Sequence, residues 1–507
     1  MTVRVVTAAQ AAERDNATIA SGTPSQQLMQ RAGRGAAIVI LERFASKLRE
    51  GAVIFTGPGN NGGDGWVLAE ALEWVRVKVS VEEAAPPKTP DAVAAKKTAA
   101  VDAAAARKIA RPLIVVDALL GTGAEGEPRG AIADAVGRIN ELRAAGATVV
   151  ALDLPSGLDA TTGAHTGSVV TADLTISFGT VKRGQLLARD VCGEIVVLDI
   201  GLAAPRLEDT THELVDEAWV LSRMPGIRFD DNKGKRGKLA IIAGGEGMPG
   251  AAILAGRAAL RSGIGLVRMV VHESNIAAVA NAIPSALIAP WTGDDAKLRA
   301  HVGDWADAIV IGPGMGQDAS TRTLVERALS GNRKPVLLDA DALNVFSGDT
   351  RAVQWLLSGR QALITPHPAE LGRLLNVPTE DIVARRFEIG SETVLETGAT
   401  TLLKGAPTVI TAATGKRYCV ARGSAALATG GSGDLLSGIA GALLAQTGSS
   451  ETSACAAAWV HGRAAELCGY VRGVSLDDVL FALPRAWNER EAELAPPVLA
   501  RLPAVLA

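Results

Sequence analysis

The chain has 507 residues, a net charge of −3 at pH 7 with histidine neutral, 48% hydrophobic residues and 3% aromatics. At ~100–200 residues per domain that length suggests two to four domains, and the hydrophobic share excludes a disordered chain. The absence of a basic excess argues against nucleic acid as a bulk partner.

The N-terminal run MTVRVVTAAQAAERDN has no apolar h-region, so it does not read as a secretory signal. No uncharged run approaches the ~18 apolar residues of a membrane span; the stretch from Ala251 to Val271 is broken by Arg257, Arg261 and Arg268. A soluble, cytoplasmic protein without a membrane partner is the expectation. Cys192, Cys419, Cys455 and Cys468 form no CxxC pair, and Cys455 and Cys468 read as small core residues in a reducing compartment. The histidines show no zinc spacing.

Short apolar runs alternate with alanine-rich helical stretches. Val53 to Phe55, Leu113 to Val116, Val149 to Leu152 and Leu174 to Phe178 read as buried strands, with a crossover helix from Ala131 to Ala145. Pro86 to Pro90 reads as a loop leading into a helix. The rhythm restarts at Leu239 to Ala243 and continues through Leu266 to Val271, Ala308 to Ile311, Val336 to Leu338, Ala362 to Ile364 and Thr401 to Leu403. This is an α/β chain with parallel sheets. The charged stretch from Ala203 to Gly226, with Pro205 and Pro225, reads as a joint between one domain at 1–212 and another at 213–507.

In the first half, VIFTGPGNNGGDGWVLAEAL reads as a strand, a glycine-rich turn and a helix starting near Gly65. Gly57, Gly59, Gly62, Gly63 and Gly65 are expected to permit positive φ and close ligand approach, with the helix end favouring an anion. Asp117 in LIVVDALLGTG and Asp153 in VVALDLPSGLDATTG stand at strand carboxyl ends, where ligands of open α/β sheets bind. A lone acid there is as well read as a helix cap or turn former; three such ends together favour a crevice. Asn61, Asp117 and Ser156 offer hard oxygens suited to a monovalent cation or one end of a polar ligand. Lys182 reads either as a phosphate or proton-transfer group or as a solvated loop lysine.

NNGGDG, DALLGTG, LDLPSGLDATTG and GTPSQQLMQRAG resemble the NAD(P)H-hydrate epimerase domain over nearly all of residues 1–205. The resemblance implies a Rossmann-like three-layer α/β/α domain that binds NAD(P)HX, the hydrated cofactor. It implies substrate contacts from Asn60, Asn61, Gly62, Gly63 and Asp64. It extends them to the loop of Gly121, Thr122, Gly123, Ala124, Glu125, Gly126 and Glu127. Potassium would lie at Asn61, Asp117 and Ser156, and Asp153 at the reacting ring. Asp153 is expected to move the proton with Lys182 assisting, a carboxylate base suiting bond exchange at a carbon next to nitrogen. Thr161 departs from the acid often found there.

In the second half, ATGGSGDLLSGIAGALLAQ reads as a glycine turn followed at once by a helix. Its free N–H groups suit a transferring phosphoryl group, and Asp434 in the first turn suits a base taking a hydroxyl proton. The plainer reading of Asp434 is an acid stabilised by the helix dipole. Around it come Lys404 and Gly405 after a strand, IGPGMG from Ile311 to Gly316, Asp339 and Asp341 at another strand end, and His367 between two prolines.

GGSGD in this order of loops resembles the ribokinase-like superfamily, an α/β fold. NKGKRGKLAIIAGG, GMPGAAILAGRAALRSGIGLV, IGPGMG, LDADALN, TPHPAE, LLKGAPT and ATGGSGDLLSG resemble the ADP-dependent (S)-NAD(P)H-hydrate dehydratase from about residue 228 to 465. The resemblance places Ala251, Gly314, His367 and Asp434 against NAD(P)HX. It places Lys404, Gly405, Ala406, Pro407, Thr408 and Gly433 against ADP, with magnesium on the phosphates. Asn232 stands where the family often has histidine.

Together the halves imply a bifunctional repair enzyme: epimerisation of (R)- and (S)-NAD(P)HX, then ADP-dependent dehydration of the S form to NAD(P)H, AMP and phosphate. The family also implies a homo-oligomer, a tetramer or larger. Two other readings stay open. A vitamin-type hydroxyl kinase would leave phosphate bound to its product, and an epimerase-like module serving only assembly would not interconvert the hydrates.

Overall fold

The computed structural model describes residues 2–99, 109, 113–165, 167–203 and 210–506. Pro205 of the expected joint lies outside them. Two compact units are present: Met1–Glu213 with Ala492–Val505, and Leu214–Glu491 with the last two residues.

In the first unit a seven-stranded sheet runs in the order Val498–Leu502, Glu194–Leu198, Leu174–Phe178, Thr148–Leu152, Ile114–Ala118, Ala52–Thr56, Val79–Glu83. All neighbours are parallel except Val498–Leu502, which is antiparallel to Glu194–Leu198. The central strands are buried along their whole length, which is why they appear as continuous apolar runs. Helices Ser25–Phe44 and Asn60–Trp74 contribute to the core on one face, around Trp66, Leu68 and Leu72. Helix Ala131–Ala144 contributes Ala135, Val136 and Ile139 to a second core. Strand order reverses between Ala52–Thr56 and Ile114–Ala118, and that switch point opens a crevice at their carboxyl ends.

Three features differ from the sequence expectation. The helix begins at Asn60, not near Gly65, so NNGGD is its first turn. None of the five glycines from Gly57 to Gly65 has positive φ. They are small because the backbone is crowded: a Cβ on Gly57 would lie 1.8 Å from the Leu119 carbonyl oxygen, and one on Gly62 2.0 Å from that of Gly57. The domain expected to run from 213 to 507 also gives up its last strand. Val498–Leu502 joins the first unit's sheet, with Ala500 and Leu502 buried and Arg501 reaching Glu194 at 3.0 Å.

The second unit carries parallel strands in the order Leu287–Pro290, Leu266–Val271, Lys238–Ile242, Ala308–Ile311, Val336–Leu338, Ala362–Ile364, Thr400–Leu403. Thr408–Thr411 and Arg417–Val420 follow antiparallel. One core holds helices Pro249–Arg261, Ser432–Thr447, Ser450–Leu467 and Leu476–Asn488; another includes helices Ala319–Leu329 and Thr350–Leu357. The helix Ser432–Thr447 is pressed into place by its small residues. A Cβ on Gly438 would meet the Ala255 carbonyl oxygen at 2.1 Å, and one on Gly441 the Val310 side chain at 2.2 Å. The order of strands reverses here between Lys238–Ile242 and Ala308–Ile311. Among the described residues no helix is long and apolar enough to cross a membrane.

Candidate active sites

The crevice of the first unit is a cavity of about 540 Å³. Asn60, Asn61 and Asp64 line it from the first turn of their helix, Gly121 to Ala124 from the loop after Ile114–Ala118, and Asp153 from the end of Thr148–Leu152. The helix Ala8–Ala20 closes another side with Ala8, Ala11, Asp15 and Ile19. A contiguous pocket of about 220 Å³ is lined by Gly121, Ala124, Gly126, Glu127 and Ser156. Glu125 lines neither pocket.

Asp153 has φ 64°, a left-handed conformation uncommon for a residue with a side chain. Its Oδ1 pairs with Lys182 Nζ, and its Oδ2 accepts from the Thr122 hydroxyl and, at 3.1 Å, from the Thr122 amide. Burial pushes the carboxyl up, yet the Lys182 charge and these hydrogen bonds outweigh it and hold Asp153 below the ordinary carboxylate range. Lys182 is 2% exposed, so the solvated-loop reading is excluded. It ends the short strand Val181–Lys182, which pairs with Arg4–Val6, and it also donates to Ser177 at 3.1 Å. Gln185 braces the pair, accepting the Lys182 amide at 2.8 Å and donating to the Asp153 carbonyl at 2.7 Å.

Asn61, Asp117 and Ser156 come together beside this cavity. Ser156 donates its hydroxyl at 2.6 Å and its amide at 2.8 Å to Asp117, and accepts the Leu120 amide at 2.9 Å. Asn61 donates to the Leu120 and Leu152 carbonyls at 2.8 and 3.1 Å, while its Oδ1 is buried without a hydrogen-bond partner. Burial pushes Asp117 up to about 6 despite the Ser156 hydrogen bonds.

Two acids here escaped the sequence reading or were given only a contact role. Burial pushes Asp64 well above the carboxylate range, with Asp153 and Asp15 adding to it. Asp15 is solvent-exposed on its helix, yet partial desolvation by the surrounding protein pushes its carboxyl up to about 6, with Lys182 acting against the shift and Asp153 with it. Nothing around Asp15 in the sequence marks it; only the cavity does. Thr161 accepts the Ala8 amide at 3.0 Å and so helps fix the helix that carries Asp15.

In the second unit, Asp434 stands in the first turn of Ser432–Thr447, whose cap residue Gly431 has φ 91°. Lys404, at the end of Thr400–Leu403, pairs with Asp339 at 2.6 Å, and Ser437 donates to the other Asp339 oxygen at 2.5 Å. Asp339 is thereby a buried joint between strand end and helix. A Cβ on Gly433 would lie 3.2 Å from Lys404 Nζ, so the two residues expected at ADP adjoin. Burial first, then the charge of Asp339, push Asp434 up to about 6, while Lys404 works against the shift. Lys404 is held above its ordinary range: burial opposes its charge, but Asp339 and Glu370 outweigh burial.

Ala251 and Gly314 flank the switch point, since a Cβ on Gly314 would lie 2.7 Å from that of Ala251. Asp341 holds the adjoining loop, accepting the Gly316 amide at 2.9 Å. His367 caps the helix Pro368–Leu375, its Nδ1 accepting the Ala369 and Glu370 amides at 3.2 and 3.3 Å. Its Nε2 is 3.4 Å from Glu370, a residue whose capping-box spacing was legible but unused. Pro407 accepts from buried Arg386 at 2.9 Å, while Thr408 donates to the Gly405 carbonyl at 3.0 Å. Arg386 and His461 also went unread. Burial, with Lys404 adding, pushes buried His461 down to about 4. Asn232 makes a local turn, accepting the Gly234 and Lys235 amides.

Residues 239–482 match the family described as NAD(P)H-hydrate dehydratase, and residues 25–184 the family described as YjeF-related protein N-terminus. A bifunctional NAD(P)H-hydrate repair enzyme from Escherichia coli strain K12 is 35% identical over 395 residues, 74% of this chain and 72% of that one. One from Salinibacter ruber is 34% identical over 520 residues, 93% of this chain and 94% of that one. A solved ribokinase-like superfamily protein from Enterococcus faecalis superposes with a TM-score of 0.50 at 24% identity, covering 57% of this chain and 99% of that one, and shows the fold.

Proposed function

The chain belongs to the bifunctional NAD(P)H-hydrate repair enzymes, fused epimerases and dehydratases, and we propose how its residues divide the two reactions. The first domain interconverts (R)- and (S)-NAD(P)HX; the second uses ADP to return the S form to NAD(P)H. The observation that carries this reading is Asp434: a half-buried carboxylate at a glycine-capped helix N-terminus, beside Lys404 but not paired with it.

In the epimerase cavity, Asn60, Asn61 and Asp64 with Gly121 to Ala124, Gly126 and Glu127 hold the hydrate, with Asp153 at the ring and Lys182 holding its charge. Gly62 and Gly63 keep the helix turn close, and Glu125 lies off the pocket wall. The potassium site fits Asn61, Asp117 and Ser156, because a buried carboxylate and an unpartnered Asn61 oxygen offer hard donors to a monovalent cation. A bound potassium ion would supply positive charge near the negatively charged substrate.

In the dehydratase site, Ala251, Gly314 and His367 face the hydrate, while Lys404 to Thr408 and Gly433 hold ADP. Asp434 takes the C6 hydroxyl proton. The freed oxygen attacks the terminal phosphorus, and the bond to the bridging oxygen breaks to release AMP. The ring nitrogen then expels phosphate from C6, and loss of a C5 proton restores the double bond. Lys404 and the helix N–H groups stabilise charge on the moving phosphoryl group. Among the described residues no cluster of three or more His, Cys, Asp or Glu could hold a metal. Magnesium therefore fits this site as an ion carried chiefly by the nucleotide phosphates, whose charge it neutralises. Cytoplasmic residence, independence of nucleic acid and a symmetric homo-oligomer belong to the same reading.

The test is incubation of the full chain with (S)-NADHX and ADP or ATP. Reduced-nicotinamide absorbance should return with AMP and free phosphate when ADP is supplied. Phosphate retained on an organic product would overturn the reading in favour of a hydroxyl kinase.

A further inference from the structure

We propose that Asp15 is a second proton-transferring residue of the epimerase cavity, acting on the ring from a different structural element than Asp153. The inference rests on the epimerase reading of the first unit. Inversion at C6 by loss and return of water needs a proton delivered on one face and taken up on the other. On the first face the hydroxyl is protonated, the C6–O bond breaks, and the nitrogen lone pair forms a C6–N1 double bond as water leaves. On the second face a water attacks C6, the electron pair returns to nitrogen, and a base takes the surplus proton. One proton enters and one leaves, with nothing else consumed.

Asp153 serves one wall, and both its oxygens are committed, Oδ1 to Lys182 and Oδ2 to Thr122. Asp15 lines the same cavity from a different element, the helix Ala8–Ala20, and among the described residues no side-chain hydrogen bond or ion pair engages its carboxylate. The charged groups around it are Lys182, Asp153 and Asp64 from the other walls and Arg14 from its own helix. Asp15 is solvent-exposed where it lines the cavity, and partial desolvation by the surrounding protein brings its carboxyl to about 6, so it can give and regain a proton near neutral pH. Asp64, its rival, is pushed well above the ordinary carboxylate value by burial, with Asp153 and Asp15 adding to the shift.

The test uses the full chain carrying Asp15→Asn or Asp15→Glu. Conversion of (R)- to (S)-NADHX is followed by chiral chromatography without ADP, and dehydration of (S)-NADHX with ADP serves as a second readout. Asp15→Asn should lose ~10²-fold in kcat for conversion with KM nearly unchanged, while dehydration keeps its rate. Asp15→Glu should recover part of kcat and displace the limb of the pH profile near 6. Full conversion by Asp15→Asn, a loss confined to KM, or Asp15→Glu no better than Asp15→Asn would overturn the proposal. If the unsubstituted chain fails to convert the R hydrate, the epimerase reading itself falls, which is a separate result.

Discussion

In the first unit the cavity lysine, Lys182, pairs with Asp153; in the second, Lys404 pairs with Asp339, and Asp434 is left without an ion pair. Both acids follow glycine-rich or strand-end segments of similar appearance, yet their proton affinities diverge. Asp153 is held below the ordinary range and Asp434 is pushed up to about 6. Each pKa unit corresponds to about 1.4 kcal/mol of preference between protonation states. The choice of partner for one lysine therefore separates an acid held ionised from an acid ready to accept a proton.

The largest expected effect comes from Asp434→Asn, which removes the unpaired base. Dehydration of (S)-NADHX with ADP should fall by ~10²–10⁴-fold, read as reduced-nicotinamide absorbance, with hydrate interconversion unchanged. In the unsubstituted chain dehydration should also fall as pH drops below about 6, where Asp434 takes up its proton. The stability consequences have opposite signs. Asp434 is raised in the fold, so its ionisation costs stability above about 6, and that cost is relieved as pH falls toward the unfolded value. Asp153 is lowered, so it contributes stability above the unfolded value and loses it as pH falls through its folded one.

Asp153→Asn should act in mirror image, cutting interconversion by ~10²-fold while dehydration of supplied S hydrate persists. Equal loss of both activities would break the division between the units. Lys404→Met would strand Asp339, which is 1% exposed; removing one member of a buried pair costs ~3 kcal/mol or more. The urea midpoint should fall and KM for ADP rise, whereas a loss of interconversion alone would contradict the placement. The smallest effect is expected from the cation. Replacing potassium by tetramethylammonium should slow interconversion several-fold, at ~1 kcal/mol or less for an ion near the site, and leave dehydration with ADP and magnesium unchanged.

The central strands were legible because burial on both faces leaves unbroken apolar runs, as in Ala52–Thr56 and Ile114–Ala118. Val79–Glu83 was not, since its outer half, Glu82 and Glu83, is exposed and breaks the run. Asp117, Asp153, Lys404 and Asp434 were legible by their position at strand ends and a helix start. Lys182 was named as the assistant of Asp153, but the partner of Lys404 was not legible: that it pairs with Asp339 and leaves Asp434 without an ion pair depends on how strands are brought side by side. Asp15 is an acid in an ordinary helix until the fold sets that helix over a cavity. The glycines of NNGGDG were correctly singled out, but for the wrong freedom, because close packing and positive φ call for the same residue.

The strand Val498–Leu502 has a consequence for how such a chain is made. It covers the edge strand Glu194–Leu198, whose Ile195 to Leu198 are buried in the finished sheet. On a ribosome the first unit emerges early, and its apolar edge stays without a neighbour until the second unit has been translated. An open edge of that kind is a template for pairing between nascent chains. A transcript cut short after the first unit, or anywhere before residue 498, would release a protein with that edge uncovered, open to aggregation and to cellular quality control.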